Sequence, residues 1–217
     1  MKTLSRRTVL AGAAVLLPAG GAALSWWLGL WDSDAGLPRL PPGQRLEAAQ
    51  LEPRNRLPAF RLERAGAALT ADALRGRWSF VFFGYTNCPN ACPATLAELN
   101  HVQETLHVQG MEAPRIVFIS LDPQRDTPEV LQRYAAAFGS DVVGATGADE
   151  ALRPLLGFFG ITVERRPGAD AAGYTLDHTT NFFLLTPDGR WLATFGPGED
   201  AEAIVQDTMT LMRLPAA

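Results

Sequence analysis

The sequence predicts an α/β layered fold with a mixed sheet. Three observations predict it. Short, almost wholly apolar runs alternate with amphipathic stretches, a late pair of apolar runs is joined by a tight turn, and an apolar-striped helix closes the chain. With 217 residues, 47% of them apolar and 19% charged, the chain is long enough for one domain with a full core plus appendages. Net charge is −4, and without Lys2, Arg6 and Arg7 the remainder carries −7, which excludes a nucleic-acid-binding body.

The N-terminus stands apart. Lys2, Arg6 and Arg7 precede a stretch from Thr8 to Trp31 with no charged side chain, longer than the about 20 residues a bilayer-spanning helix needs. Positive flanks stay in the cytoplasm, so residues 1–31 are expected to place the following domain outside it, in the periplasm of a bacterial inner membrane. Trp26, Trp27 and Trp31 suit the outer interface of a retained anchor. "SRRTVL" also looks like a twin-arginine export signal, and the small residues from Ala19 to Ala23 would permit cleavage. Residues 32–56 carry four prolines without apolar periodicity and read as a linker or wrapping arm, leaving 57–217 as the domain.

Within that domain, 57–70 is expected to form an N-terminal hairpin turning at Gly66. "WSFVFFGYT" (78–86) is a strand buried on both faces. The following helix places Leu96, Leu99, Val102 and Leu106 on one face and stops at Gly110. "RIVFISLD" (115–122) is a second buried strand. Thr127 and Pro128 open the next helix, and Gly139 lies beyond its end. A short strand (141–146), a helix (149–160), two strands turning at Pro187-Asp188-Gly189, and a helix over 199–213 complete the order. Walker, dinucleotide, nucleophile-elbow and His-Glu zinc patterns are absent from the sequence.

Cys88 and Cys92, the chain's two cysteines, sit where the first buried strand gives way to a helix. A purely structural disulfide between them would close a loop of about five residues, worth only about 2 kcal/mol. At a helix start, free amides and the positive end of the dipole favour thiolate, which is both a disulfide-exchange nucleophile and a soft-metal ligand. A redox pair and a metal pair both remain open. Two thiolates alone are a thin metal site. Of the three histidines, His101 points away from the apolar stripe of its helix and His107 lies at the stripe's edge, which makes both surface residues. His178 stands just before a buried strand, beside Asp177. A histidine there serves equally as a satisfied structural residue.

Three segments carry a family resemblance. "FFGYTNCPNACPATL", "ISLDPQRDTPEVLQRYAAAFG" and "LDHTTNFFLLTPDGR" resemble the signature segments of the Sco/SenC family, in order, within residues 57–213. The family's members are membrane-tethered, thioredoxin-fold copper proteins that assist assembly of the binuclear copper site of cytochrome c oxidase. The resemblance therefore implies a thioredoxin-like mixed sheet, copper as Cu(I) or Cu(II), and Cys88, Cys92 and His178 as its ligands. It implies as partners the copper-bearing oxidase subunit, a thiol reductant and a copper donor. Asp177, Asp122 and Asp126 are candidates for supporting the ligands, the latter two also for capping the turn and the next helix. Asn87 and Asn90 depart from the family's common pattern. At Asn90 a frequent carboxylate is lost, which removes a negative charge beside the thiols and leaves the ligands intact. The second reading is a thiol-disulfide oxidoreductase acting on an oxidase subunit or another exported protein. Thioredoxin-like oxidoreductases, however, carry C-x-x-C and a proline opposite it. Here the spacing is C-x-x-x-C, and no proline lies between Pro167 and Pro187.

Overall fold

The structure, a computed structural model, describes residues 37–168 and 173–214. The expected export or anchor segment, 1–31, lies outside the described residues. Among those described, no helix is long and apolar enough to cross a membrane.

Among the described residues ten strands and four α-helices follow in order: β1 (Ala49–Leu51), β2 (Arg61–Arg64), β3 (Ala67–Thr70), β4 (Ser79–Gly84), α1 (Ala91–Val108), β5 (Arg115–Ser120), α2 (Pro128–Ala136), β6 (Val142–Ala145), α3 (Asp149–Phe159), β7 (Val163–Pro167), β8 (Tyr174–His178), β9 (Phe182–Leu185), β10 (Trp191–Phe195) and α4 (Ala201–Met212). Six strands form one sheet in the order β1-β10-β9-β4-β5-β6. β4, β5 and β6 run parallel, whereas β9, β10 and β1 add antiparallel neighbours, so the sheet is mixed as expected. The central strands are apolar without alternation because both faces are covered, and all six residues of β4 are buried.

Successive side chains of a strand point to opposite faces, and the phenylalanines divide accordingly. Phe80, Phe182 and Phe195 cluster on one face, the last two stacked at 4.9 Å. Phe83, Phe159, Phe183 and Trp191 cluster on the other. The expected hairpin is β2–β3, turning through Gly66 at φ +83°, and Glu63 bridges it to Thr146 just past β6. Thr127 caps α2 by accepting from the Val130 amide, with Pro128 in its first turn.

Two elements differ from the expected pattern. The stretch 32–56 is not all linker, because Ala49–Leu51 is an edge strand of the main sheet, paired to β10. Three residues hold too little pattern to be read as a strand. The entry to the strand is fixed by Asp207 of α4, a buried carboxylate whose Oδ2 accepts from the amides of Glu47, Ala48 and Ala49 at 2.9, 2.7 and 2.8 Å. The second difference is a separate ribbon, β7–β8, that pairs Val163 with His178 and Pro167 with Tyr174. β7 is exposed throughout, so it carries no apolar alternation to read.

Candidate metal centre

The thiols lie at the C-terminal end of β4, at the junction with α1. The N-cap of α1, Asn90, makes no side-chain cap, which leaves the first-turn amides to other acceptors. Cys88 Sγ takes one of them, accepting from the Cys92 N–H at 3.4 Å. Cys88 is half-buried and Cys92 fully buried, and both are free thiols. Cys92 Sγ lies against the backbone of Gly84. A Cβ at Gly84 would stand 2.6 Å from that sulfur and 2.8 Å from the Phe118 ring, so only glycine admits the thiol there. Sequence reasoning passed over Gly84. A glycine closing a wholly buried strand, four residues before a cysteine pair, was the available signal.

His178 is the last residue of β8, and β9 begins four residues later. Its Nε2 lies 3.7 Å from Cys92 Sγ, and its ring packs edge-on to Tyr85 and Phe82 at 6.0 and 6.4 Å. Nδ1 lies 2.8 Å from the Thr179 carbonyl oxygen. A carbonyl only accepts, so Nδ1 donates to it, which leaves Nε2 as the ring nitrogen turned toward the sulfur. An imidazole held on a carbonyl by one nitrogen is oriented to ligate through the other. A metal ion about 2.3 Å from a thiolate and about 2.0 Å from an imidazole, at about 120° between them, holds sulfur and nitrogen about 3.7 Å apart. The observed pair has that separation, so the donor chemistry and spacing fit. The trio is not closed into a cage. Among the described residues no group of three His, Cys, Asp or Glu side chains is drawn together around an ion position. His101 and His107 are exposed on α1, away from the thiols.

The three aspartates separate. Asp177 does not hold His178: it is exposed and paired with Arg166, because its side chain leaves β8 on the face opposite His178. Nor do Asp122 and Asp126 cap the next helix, which Thr127 does. Both are buried. Asp126 accepts from the Thr86 amide at 2.9 Å, from Thr86 Oγ1 at 2.5 Å and from Ser120 Oγ at 2.5 Å, tying the cysteine loop to the end of β5. Asp122 accepts from the Tyr174 hydroxyl at 2.7 Å and pairs with Arg125. Thr86, Arg125 and Tyr174 were not singled out from the sequence, since polar residues in loops show no periodicity.

The two thiols differ electrostatically. A hydrogen bond from Cys92 pulls the Cys88 thiol down to about 3, against the opposing effect of burial and with help from His178 and the helix-start amides. Sharing its proton with Cys88, together with burial, pushes Cys92 up. A thiol with a lowered pKa is ionised at every pH above it. Alkylation of the reduced protein by iodoacetamide should therefore be confined to Cys88 and nearly flat between pH 5 and 8. An ordinary thiol slows by a factor on the order of several hundred over that range. Mass mapping that finds Cys92 labelled first, or a steep fall in rate at pH 5, would reject this asymmetry.

The SCO1/SenC family profile matches residues 48–213. The chain is 31% identical to the SCO2-like protein RP587 of Rickettsia prowazekii over 67% of its own length and 71% of the relative's. Its fold superimposes on that of Bradyrhizobium japonicum ScoI with copper bound, with a TM-score of 0.63 at 30% identity, over 74% of this chain and 100% of that one. Apo Sco1 from Thermus thermophilus gives a TM-score of 0.68 at 30% identity, over 79% and 99%.

Proposed function

The chain belongs to the SCO1/SenC family, whose fold is thioredoxin-like, and from that premise we propose that it captures copper through Cys88, Cys92 and His178 and hands it to the copper-bearing subunit of cytochrome c oxidase. The observation that carries this reading is the imidazole Nε2 set 3.7 Å from the buried thiol, with Nδ1 turned away to the Thr179 carbonyl. Two thiolates and one imidazole suit soft Cu(I) and also accept Cu(II). Copper is cargo here, and the protein serves as an assembly factor without turning over a substrate. The residues divide the labour. Half-buried Cys88 is the thiolate that a copper donor or recipient reaches first, while Cys92 and His178 stay behind it. Residues 1–31 act as the membrane anchor, or as a cleaved export signal, and the chain up to about residue 47 as the tether that leaves the domain in the periplasm.

A second reading has its own support. A half-buried thiolate beside a fully buried thiol is also the arrangement of a dithiol that reduces disulfides. The two uses are compatible in one protein, because a thiol reductant must return the disulfide to the dithiol before copper binds.

His178→Ala separates the readings. It is expected to leave the fold and the ability to form the Cys88–Cys92 disulfide intact. It should weaken copper binding, titrated anaerobically into reduced protein against a competing chelator, by at least about tenfold, or about 1.4 kcal/mol. Unchanged affinity in the folded variant would put thiol exchange first.

A further inference from the structure

The histidine and the thiols reach the site on separate pieces of structure. Cys88 lies in the loop that leaves the main sheet's strand β4 and Cys92 in the first turn of α1, whereas His178 ends a two-stranded ribbon hydrogen-bonded in strand pairing only to itself. Beyond its short link to β9, the position of His178 therefore depends on side-chain ties between β8 and the body. Tyr174, Leu176 and His178 occupy one face of β8, because alternate residues share a side. Leu176 is buried, His178 meets Tyr85 and Phe82, and Tyr174 meets Arg125.

Arg125 makes the most complete of these ties. Its guanidinium carbon lies 3.8 Å from the centre of the Tyr174 ring, a stacking distance, and its Nη1 donates to the Tyr174 carbonyl at 3.1 Å. Its Nε pairs with the buried Asp122, which also accepts from the Tyr174 hydroxyl at 2.7 Å. Arg165 of β7 stacks on Tyr174 at 4.0 Å. Two guanidinium groups at such distances from one ring centre must lie on opposite faces, so the tyrosine is held from both sides. A planar guanidinium can stack, reach a carbonyl and pair with a carboxylate at once, which the ammonium of lysine cannot do.

The location of Arg125 gives the clamp its meaning. Residues 122–126 form one turn, with the Arg125 and Asp126 amides both donating to the Asp122 carbonyl. From that turn Asp126 reaches to Thr86 in the cysteine loop, while Asp122 and Arg125 reach to Tyr174 in the histidine ribbon. We propose that Arg125 is a positioning residue for His178: stacked on Tyr174 and paired with Asp122, it fixes the ribbon to the same turn that holds the thiols, so that one loop sets the imidazole-to-thiol spacing. The consequence for metal binding rests on His178 being a copper ligand, as proposed above. The consequence for the ribbon does not.

The test uses the full-length reduced protein and the variants Arg125→Ala, Arg125→Lys and His178→Ala, alone and combined. Hydrogen exchange followed by mass spectrometry reads the ribbon without any metal. Arg125→Ala should speed exchange in peptides covering 163–168 and 174–179 by about tenfold or more, while 79–84 and 115–120 keep their rates, since a local opening leaves the main sheet closed. Copper affinity should fall about tenfold when Arg125→Ala is made in the parent, and by less than about twofold when it is made on His178→Ala. Arg125→Lys keeps Asp122 paired, so it folds even if the alanine variant does not, and it should reproduce both effects in weaker form. Ribbon exchange unchanged in Arg125→Lys and Arg125→Ala overturns the proposal. So does an equal loss of affinity in both backgrounds, which would mean that Arg125 acts otherwise than through His178. If His178→Ala alone leaves affinity unchanged, the ligand reading has failed, and the exchange result still decides the clamp.

Discussion

Replacing either cysteine by serine is expected to abolish stoichiometric copper binding, with a loss in affinity of more than about a hundredfold, because a neutral hydroxyl is a poor ligand for a soft ion. The two variants should nonetheless differ in stability. Cys88 is half-buried and its sulfur accepts the Cys92 amide, a role a serine oxygen can take over, so Cys88→Ser should fold as well as the parent. Cys92 is fully buried against Gly84, and a hydroxyl there must keep a partner or lose on the order of 1–3 kcal/mol. Oxidising the parent to the Cys88–Cys92 disulfide removes both thiolates at once and should have the same effect on copper as either substitution. Anaerobic titration of the three species, with urea unfolding of each, checks the set. In cells lacking the gene, neither variant should restore oxidase assembly, and added copper should partly do so. Tight, one-to-one binding by either serine variant, or by the disulfide form, would remove the two-thiolate site.

Asp207→Ala should be strongly destabilising although it lies outside the site. One carboxylate oxygen receives three backbone amides, and its removal leaves them to solvent that reaches Ala48 poorly. Hydrogen bonds to charged acceptors contribute about 1.5–3 kcal/mol each, but Glu47 and Ala49 are accessible enough to recover water. A net loss on the order of 3 kcal/mol is therefore expected. Asp207→Asn retains one acceptor oxygen without the charge and should lose about half as much. The loss should appear as a lower urea midpoint and as new proteolytic cleavage between residues 45 and 57. Copper affinity of the folded fraction should be unchanged, since β1 is the edge strand farthest from β4 on its side of the sheet. A loss below about 1 kcal/mol in Asp207→Ala would show that the arm is held by its strand pairing with β10 instead.

The sheet's central strands, the four helices and their stops were legible because they obey local periodicities. β4 and β5 are continuous apolar runs, α1 repeats its leucines and valine at helical spacing, and Thr127-Pro128 marks the start of α2. The cysteine pair was equally plain, since its meaning lies in its place between a buried strand and a helix start. β1 and β7 were not legible. One is three residues long and the other is exposed along its whole length, so neither carries a pattern that burial would impose.

By itself, then, the sequence determined the central strands and the helices, and which residues have the chemistry to hold a soft metal. Composition and spacing record what each segment needs from its immediate neighbours, and thiols and imidazoles are donors wherever they stand. Only the tertiary structure decided which donors meet and what holds them. Cys92 and His178 lie 86 positions apart, Thr86 and Asp126 40, Arg125 and Tyr174 49, and Ala48 and Asp207 159. No periodicity spans such separations. In the linear chain Asp122, Asp126 and Asp177 read alike as candidates for supporting the ligands, and Asp207 carries no signal at all. The return of the chain buries three of them against specific amides and hydroxyls and leaves Asp177 in solvent with Arg166. A buried carboxylate must find hydrogen-bond donors whereas an exposed one need not, and burial is a property of the packed sheet and its ribbon.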